Sequence, residues 1–316
     1  MTRLDELVLT ANLGEQPAEW EPVLSVPFGD GPDQLRYVQA REAPTIEPYS
    51  FALAADGSFW LMDPGKHRVV HLARTGGFLG EVLGFHPLSR DIAMYRGDVF
   101  AMRHYQFGRL DRIHTGAVAQ RYSLKANAHS LYVSDILPTS DALVVRLSGY
   151  TRPVATGPLG YFSVALDAAV PHLTELPGAP VGPNRWFALD ATGSQDFTLD
   201  FITAEGRTRQ PVHIEIIDSP ESGATLLEGL VGPGIAAVSE DDVAMYVKMS
   251  ITLPDGRQVG ARYLWQVGDS PMLWERLPDP RNISDDTQWR HLLYGPDGHL
   301  YLMQTDEDGI RIYRRP

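Results

Sequence analysis

The feature that most constrains this chain is one pattern, a short apolar run, a tight turn and a second apolar run, that recurs six times. The copies fall at 51–55 and 59–63, 91–95 and 99–102, 130–137 and 143–147, 186–190 and 197–201, 234–238 and 243–247, and 291–294 and 300–303. Between the runs stand Asp56-Gly57, Arg96-Gly97-Asp98, the Pro138 to Asp141 turn, the Ala191 to Gly193 turn, the Ser239 to Asp242 turn and Gly295-Pro296-Asp297-Gly298. Such residues supply the positive φ values that tight hairpins require. The turns recur roughly every 48 residues, within the range of propeller blades.

Each copy continues into two more strand-like runs. The third runs, at 68–72, 109–113, 161–165, 212–217, 262–267 and 309–313, alternate apolar and polar residues, as partly exposed strands do. Fourth runs come next, at 78–82, 118–122, 172–176, 224–228 and 272–277. The sixth copy has none, because the chain stops at Pro316. Residues 20–26 supply a strand at the other end, and pairing beside 309–313 would leave no open edge there.

The expectation is therefore an all-β, six-bladed β-propeller of four-stranded blades, with the N-terminal strand closing the last blade. It is read as a single domain, 1–316, with a closing strand at 19–28 and blades near 46–84, 88–124, 127–177, 184–230, 233–277 and 288–316. A sandwich needs far fewer strands, and no 3.6-residue periodicity of useful length supports a parallel α/β fold. Residues 3–9 are the one segment read as a short helix.

Composition narrows the function classes. Apolar residues make up 43% of the chain, enough for a real core and too many for disorder. With no cysteine, disulfide scaffolds and thiolate zinc sites are excluded. A net charge of −13 argues against nucleic acid as a partner. The N-terminus has no apolar signal core, and no run approaches a membrane span, so a cytoplasmic protein with no membrane partner is expected.

Residues 24–84 carry a recognisable signature: Pro27-Phe28-Gly29-Asp30-Gly31-Pro32, Asp56-Gly57, Trp60-Leu61-Met62-Asp63, Arg68-Val69-Val70-His71-Leu72 and Gly77-Phe78-Leu79-Gly80. This segment resembles an NHL repeat, with its strand, Asp-Gly, strand, Asp…Arg, strand, Gly order. Blades 2 to 6 keep the skeleton without the signature. Lys66 stands where the family usually has Asn. The resemblance implies a propeller that binds a ligand or partner on one face.

That face carries the longer loops, those between fourth and first strands and those between second and third strands, at 84–90, 104–108, 125–129, 148–160, 204–211, 250–261 and elsewhere. Residues at the starts of the innermost strands are expected nearest the axis: Glu47 and Tyr49, Arg90, Asn127 and His129, Asn184, Arg185 and Trp186, Trp289, Arg290 and His291. Arg and aromatic side chains there suit an anionic or aromatic ligand, so Tyr49, Arg90, Asn127, Arg185, Trp186, Trp289 and His291 are the expected ligand-binding residues. The partner is a small molecule or a protein on the loop face.

An enzymatic alternative, a hydrolase or lyase in the same axial cavity, uses Glu47 or His129 as acid/base and Arg90 or Arg290 to stabilise developing negative charge. No cofactor is required. Six-bladed proteins resembling gluconolactonases hold axial calcium on Glu and Asn/Asp oxygens, and Glu47, Asn127 and Asn184 would be the metal ligands here. No fourth oxygen ligand is evident for an ion that wants six to eight. The histidines His67, His71, His86 and His104 lack zinc spacing. Ser148 and Ser163 lie in no nucleophile elbow.

Overall fold

In the computed structural model, residues 1–38, 46–48, 50–87, 89, 91–104, 109–124, 130–139, 141–151, 154–166, 171–218, 226–227, 229–278 and 292–316 are described. The fold is all-β, a six-bladed β-propeller of four-stranded blades. The one helical element among the described residues is a single 3-10 turn, Pro64–Lys66. The strands, numbered along the chain, begin with β1 (Thr2–Arg3), β2 (Leu7–Asn12) and β3 (Glu21–Pro27). Two compact units are distinguished, Trp20–Leu176 with Pro280–Pro316, and Met1–Glu19 with Pro177–Asp279.

The first unit holds four blades. Blade 1 is β4 (Phe51–Leu53), β5 (Phe59–Asp63), β6 (Arg68–Leu72) and β7 (Phe78–Leu83). Blade 2 is β8 (Ile92–Tyr95), β9 (Asp98–His104), β10 (Arg109–His114) and β11 (Ala117–Ser123). Blade 3 is β12 (Ser130–Pro138), β13 (Leu143–Thr151), β14 (Val154–Ala165) and β15 (His172–Leu176). The second unit contains β16 (Ala179–Pro180), β17 (Arg185–Ala191), β18 (Asp196–Thr203), β19 (Gly206–Ile217), β20 (Leu226–Leu227), β21 (Gly229–Val238), β22 (Asp242–Thr252), β23 (Gln258–Gly268) and β24 (Leu273–Arg276). Blade 6, in the first unit, is β25 (Leu292–Tyr294), β26 (Leu300–Thr305), β27 (Gly309–Arg314) and then β3.

The expected closure is present. β3 runs antiparallel to β27, with Val26 opposite Ile310 and Leu24 opposite Ile312. The apolar faces of neighbouring blades then pack in series. Leu24 and Val26 join Phe51, Leu61 and Met303 between blades 6 and 1. Trp60, Val69, Ile92 and Ile113 lie between blades 1 and 2, and Phe100, Leu110, Tyr122 and Val145 between blades 2 and 3. A buried polar staple crosses the same seams: Ser50 donates to Asp91 Oδ1 at 2.6 Å, and the Ile136 amide to Asp91 Oδ2 at 2.6 Å.

Three expectations need correction. Residues 3–9 are not helical: β1 and β2 pair in parallel with β19. Leu4, Leu7 and Val8 have helical spacing, but Leu9 and Ala11 alternate inward with exposed Val8 and Thr10, and the open edge of β19 selects the strand. Blade 4 is also shifted by one strand. Its meander is β16, β17, β18, β19, so 186–190 lies in the second strand and the first is the short β16. The Gly-Pro-rich sequence around residues 178–183 hides a two-residue strand from pattern reading. Of the expected fourth strand at 224–228, β20 pairs two residues with β19, while β2 lies along it over six. Finally, 148–160 and 250–261 are largely hairpin strand, because backbone pairing of β13 with β14 and of β22 with β23 runs nearly to their tips.

The seam between blades 6 and 1 should dominate local stability. Leu24→Ala is expected to cost about 2–5 kcal/mol, whereas Leu79→Ala, on a side chain 54% exposed, should change stability by less than about 0.5 kcal/mol. Urea unfolding of both variants checks the contrast.

Candidate functional site

Of the residues expected near the axis, Tyr49, Arg90, Asn127, His129, Trp289, Arg290 and His291 lie outside the described residues. Glu47 is fully buried. Asn184, Arg185 and Trp186 sit together, but at the turn between the first and second strands of blade 4. Asn184 occupies the left-handed region there, with φ of 54°. The Arg185 guanidinium donates to both oxygens of Asp269, at 3.0 and 2.9 Å, and to the Glu240 carbonyl at 2.9 Å. Those partners belong to turns of blade 5, so Arg185 ties blades 4 and 5. Beside this ion pair a cavity of about 200 Å³ is lined by Val181, Trp186, Phe187, Phe201, Val243 and Val267, among others.

The NHL-like signature of blade 1 is structural in its geometry. Asp63 and Arg68 face one another across the β5–β6 turn, almost fully buried. Arg68 Nε donates to Asp63 Oδ2 at 2.9 Å, Nη1 to Glu81 at 2.7 Å and to the Pro32 carbonyl at 3.0 Å, and Nη2 to the Gln34 carbonyl at 2.5 Å. Lys66 donates to the carbonyls of Gly31 and Gln34, at 2.7 and 2.9 Å. Lys66 thus pins the segment leading into blade 1. Gly65 is required at this crossing, since a Cβ would meet the Arg36 carbonyl at 2.8 Å. Arg68→Met should destabilise by about 3–5 kcal/mol, because Asp63 would be left as an uncompensated buried charge, and the double variant with Asp63→Asn should recover much of the loss. Denaturant titration of the single and double variants tests this.

The loop end of blade 2 holds a cavity of about 390 Å³, lined by Arg103, Arg109, Asp111, Arg121, Tyr122 and Ser123. Strand register explains the grouping. Asp111 lies opposite Arg121, and Arg109 opposite Ser123, so these four side chains share one face of the β10–β11 pair. Arg103 reaches in from β9, placing Nε and Nη2 each 2.5 Å from Asp111 Oδ2. Its Nη1 donates to the Gly84 carbonyl, and its guanidinium lies 4.8 Å over the Phe85 ring. The Arg121 Nε stands 3.8 Å from the same Asp111 oxygen and is largely exposed. Asp111 is buried, and its Oδ1 has no hydrogen-bond partner. Burial pushes the Asp111 carboxyl above the usual carboxylate range, against the opposing pull of Arg103. Pattern reading missed this group because Arg109 and Arg121 look like ordinary exposed positions of outer strands. The available signal was the cross-strand register of Arg109, Asp111 and Arg121.

The calcium expectation can be tested against the donors present. Asn184 serves a tight turn, Asn127 lies outside the described residues, and among the described residues no group of three or more His, Asp or Glu side chains is arranged to hold a metal ion. Nor, among them, is any helix long and apolar enough to cross a membrane.

No protein-family model matches the chain, and no curated protein matches it. Similar solved structures include a DUF4221 family member from Bacteroides vulgatus (8% identity, 94% of this chain and 98% of that one, TM-score 0.48). Others are virginiamycin B lyase from Staphylococcus aureus (12%, 90% and 99%, 0.43) and the calcium-binding protein regucalcin from Agrobacterium tumefaciens (13%, 98% and 95%, 0.43). At such identities and TM-scores, none bears on what this chain binds or catalyses.

The raised Asp111 pKa gives a pH signature. A carboxyl whose folded pKa exceeds its unfolded value opposes folding while ionised, and that penalty is relieved as pH falls through the folded value toward the unfolded one. The stability of the wild type relative to Asp111→Asn should therefore rise between neutral pH and about pH 4, as read by unfolding free energies across that range. A flat difference would contradict the burial argument.

Proposed function

We propose that the protein is a ligand-binding propeller whose loop face takes a small organic anion in the blade 2 cavity. The observation that carries this reading is three guanidinium groups around one cavity with a single carboxylate among them, in a chain whose net charge is −13. Arg103 is saturated by Asp111 and the Gly84 carbonyl. Arg121, largely exposed and only 3.8 Å from Asp111 Oδ2, stands at the rim of the same cavity. Guanidinium forks match carboxylate geometry in pairs, and Ser123 adds a hydroxyl at the same rim.

Isothermal titration with small mono- and dicarboxylates tests the reading. Binding is expected to weaken about tenfold or more in Arg109→Gln and in Arg121→Gln, and to fall with rising ionic strength because the cavity is open to screening. Carboxylates that leave both heat and melting temperature unchanged would refute it.

A further inference from the structure

The cavity beside Arg185 has a different chemistry. Phe187 of β17 and Phe201 of β18 are cross-strand partners, as are Val243 of β22 and Val267 of β23. The phenylalanine rings meet edge to face, with centroids 5.1 Å apart. Valines reach less far than such rings, and about 200 Å³ stays unfilled beside these four side chains. Roughly 150 Å³ of apolar cavity is enough for benzene, so the space admits one six-membered ring. Phe187 and Val243 are buried, whereas Trp186, Phe201 and Ile202 are partly exposed and offer apolar surface that an entering ring can touch.

The rim of this cavity is acidic. Asp241 and Asp269 line it with side chains 67% and 64% exposed. The Asp269 amide donates to the Asp241 carbonyl at 3.1 Å, which holds the two residues together. Arg185 binds both oxygens of Asp269 and approaches Asp241 only to 3.5 Å. The neighbouring Asp242 is buried on neutral donors, the Ser270 amide and hydroxyl and the Gln266 side chain. Among the described residues of this rim, three carboxylates thus stand against the one guanidinium of Arg185, and the surplus is negative.

We infer that this cavity is a site for a small arylalkyl ammonium: its ring enters beside Trp186, Phe201 and Ile202, and its ammonium pairs with the exposed Asp241 carboxylate. The site lies within residues 181–269 and is independent of the blade 2 cavity. A neutral ring would forgo the ion pair. A carboxylate in place of the ammonium would meet like charge.

Phenethylamine, phenethyl alcohol and hydrocinnamate share a phenyl ring on a short methylene chain and end in an ammonium, a hydroxyl and a carboxylate. Titrated calorimetrically into the intact protein, phenethylamine is expected to bind about two- to fivefold more tightly than phenethyl alcohol, the range for an ion pair at an exposed rim. Hydrocinnamate should bind more weakly than either. Asp241→Asn leaves the pair of Arg185 with Asp269 in place, and it should bring amine and alcohol to equal affinity. Trp186→Ala should weaken both. Equal binding of amine and alcohol by the wild type, or a preference that survives Asp241→Asn, would overturn the role of Asp241. Hydrocinnamate binding as tightly as the amine would overturn the choice of a cation. Affinities untouched by Trp186→Ala would remove the ligand from this cavity, and if none of the three compounds binds, the proposal falls. The comparison on the wild type needs no variant to fold.

Discussion

The pairing of β3 with β27 is the contact on which the first unit depends. Without it blade 6 would be three strands ending in a bare edge, with the N–H and C=O groups of residues 309–314 open to any passing strand. With it, Leu24 and Val26 enter the apolar layer shared with blade 1. The approach is close enough to dictate sequence: a Cβ on Gly309 would come within 2.2 Å of the Val26 carbonyl oxygen. The position of β3 also steers the next stretch of chain. It leads into the segment that Arg68 and Lys66 grip by its carbonyls, so the closure of one blade fixes the approach to the next.

Apolar layers between blades are non-directional. They hold two sheets face to face without specifying how far one slides along the other. The buried polar groups supply that constraint. Asp91 binds the Ser50 hydroxyl of the segment entering blade 1 and the Ile136 amide of blade 3, fixing three blades at one height. Asp63 and Arg68 do the same for the segment before blade 1. Replacing such pairs with matched apolar residues often costs little stability. What would be lost is the unique setting of the blades, because a slipped arrangement would strand these charges.

Much of this was legible in the sequence because its turn chemistry is local. Asp56-Gly57 and Arg96-Gly97 announce their hairpins directly, with Gly57 and Gly97 both at φ of 81°. The failures have a common cause. Where a strand is shorter than its turn residues, as Ala179–Pro180 is beside Gly182-Pro183-Asn184, pattern reading assigns it to the loop and the whole blade shifts by one strand. Where a segment is selected by a distant open edge, as Leu7–Asn12 is by β19, the local spacing of Leu4, Leu7 and Val8 favours the wrong period. The same shift places Arg185 at a short hairpin turn within blade 4, where Asp269 claims its guanidinium. The blade 2 cavity stayed hidden for another reason: its arginines lie on three successive strands and meet only through strand register.

Charge balance separates blade 2 from its neighbours. In blade 1, Arg68 meets two carboxylates, Asp63 and Glu81. In blade 6, Arg311 pairs with Asp306. In blade 4, the buried Asp200 draws in two arginines, Arg207 and Arg209, from β19. Blade 2 gathers three guanidinium groups around one buried carboxylate beside a cavity. Arg103 and Asp111 satisfy each other through Oδ2 alone. The Arg103–Asp111 pair therefore anchors the inner side of the cavity, while Arg121, only 3.8 Å from the same oxygen, stands at its open side.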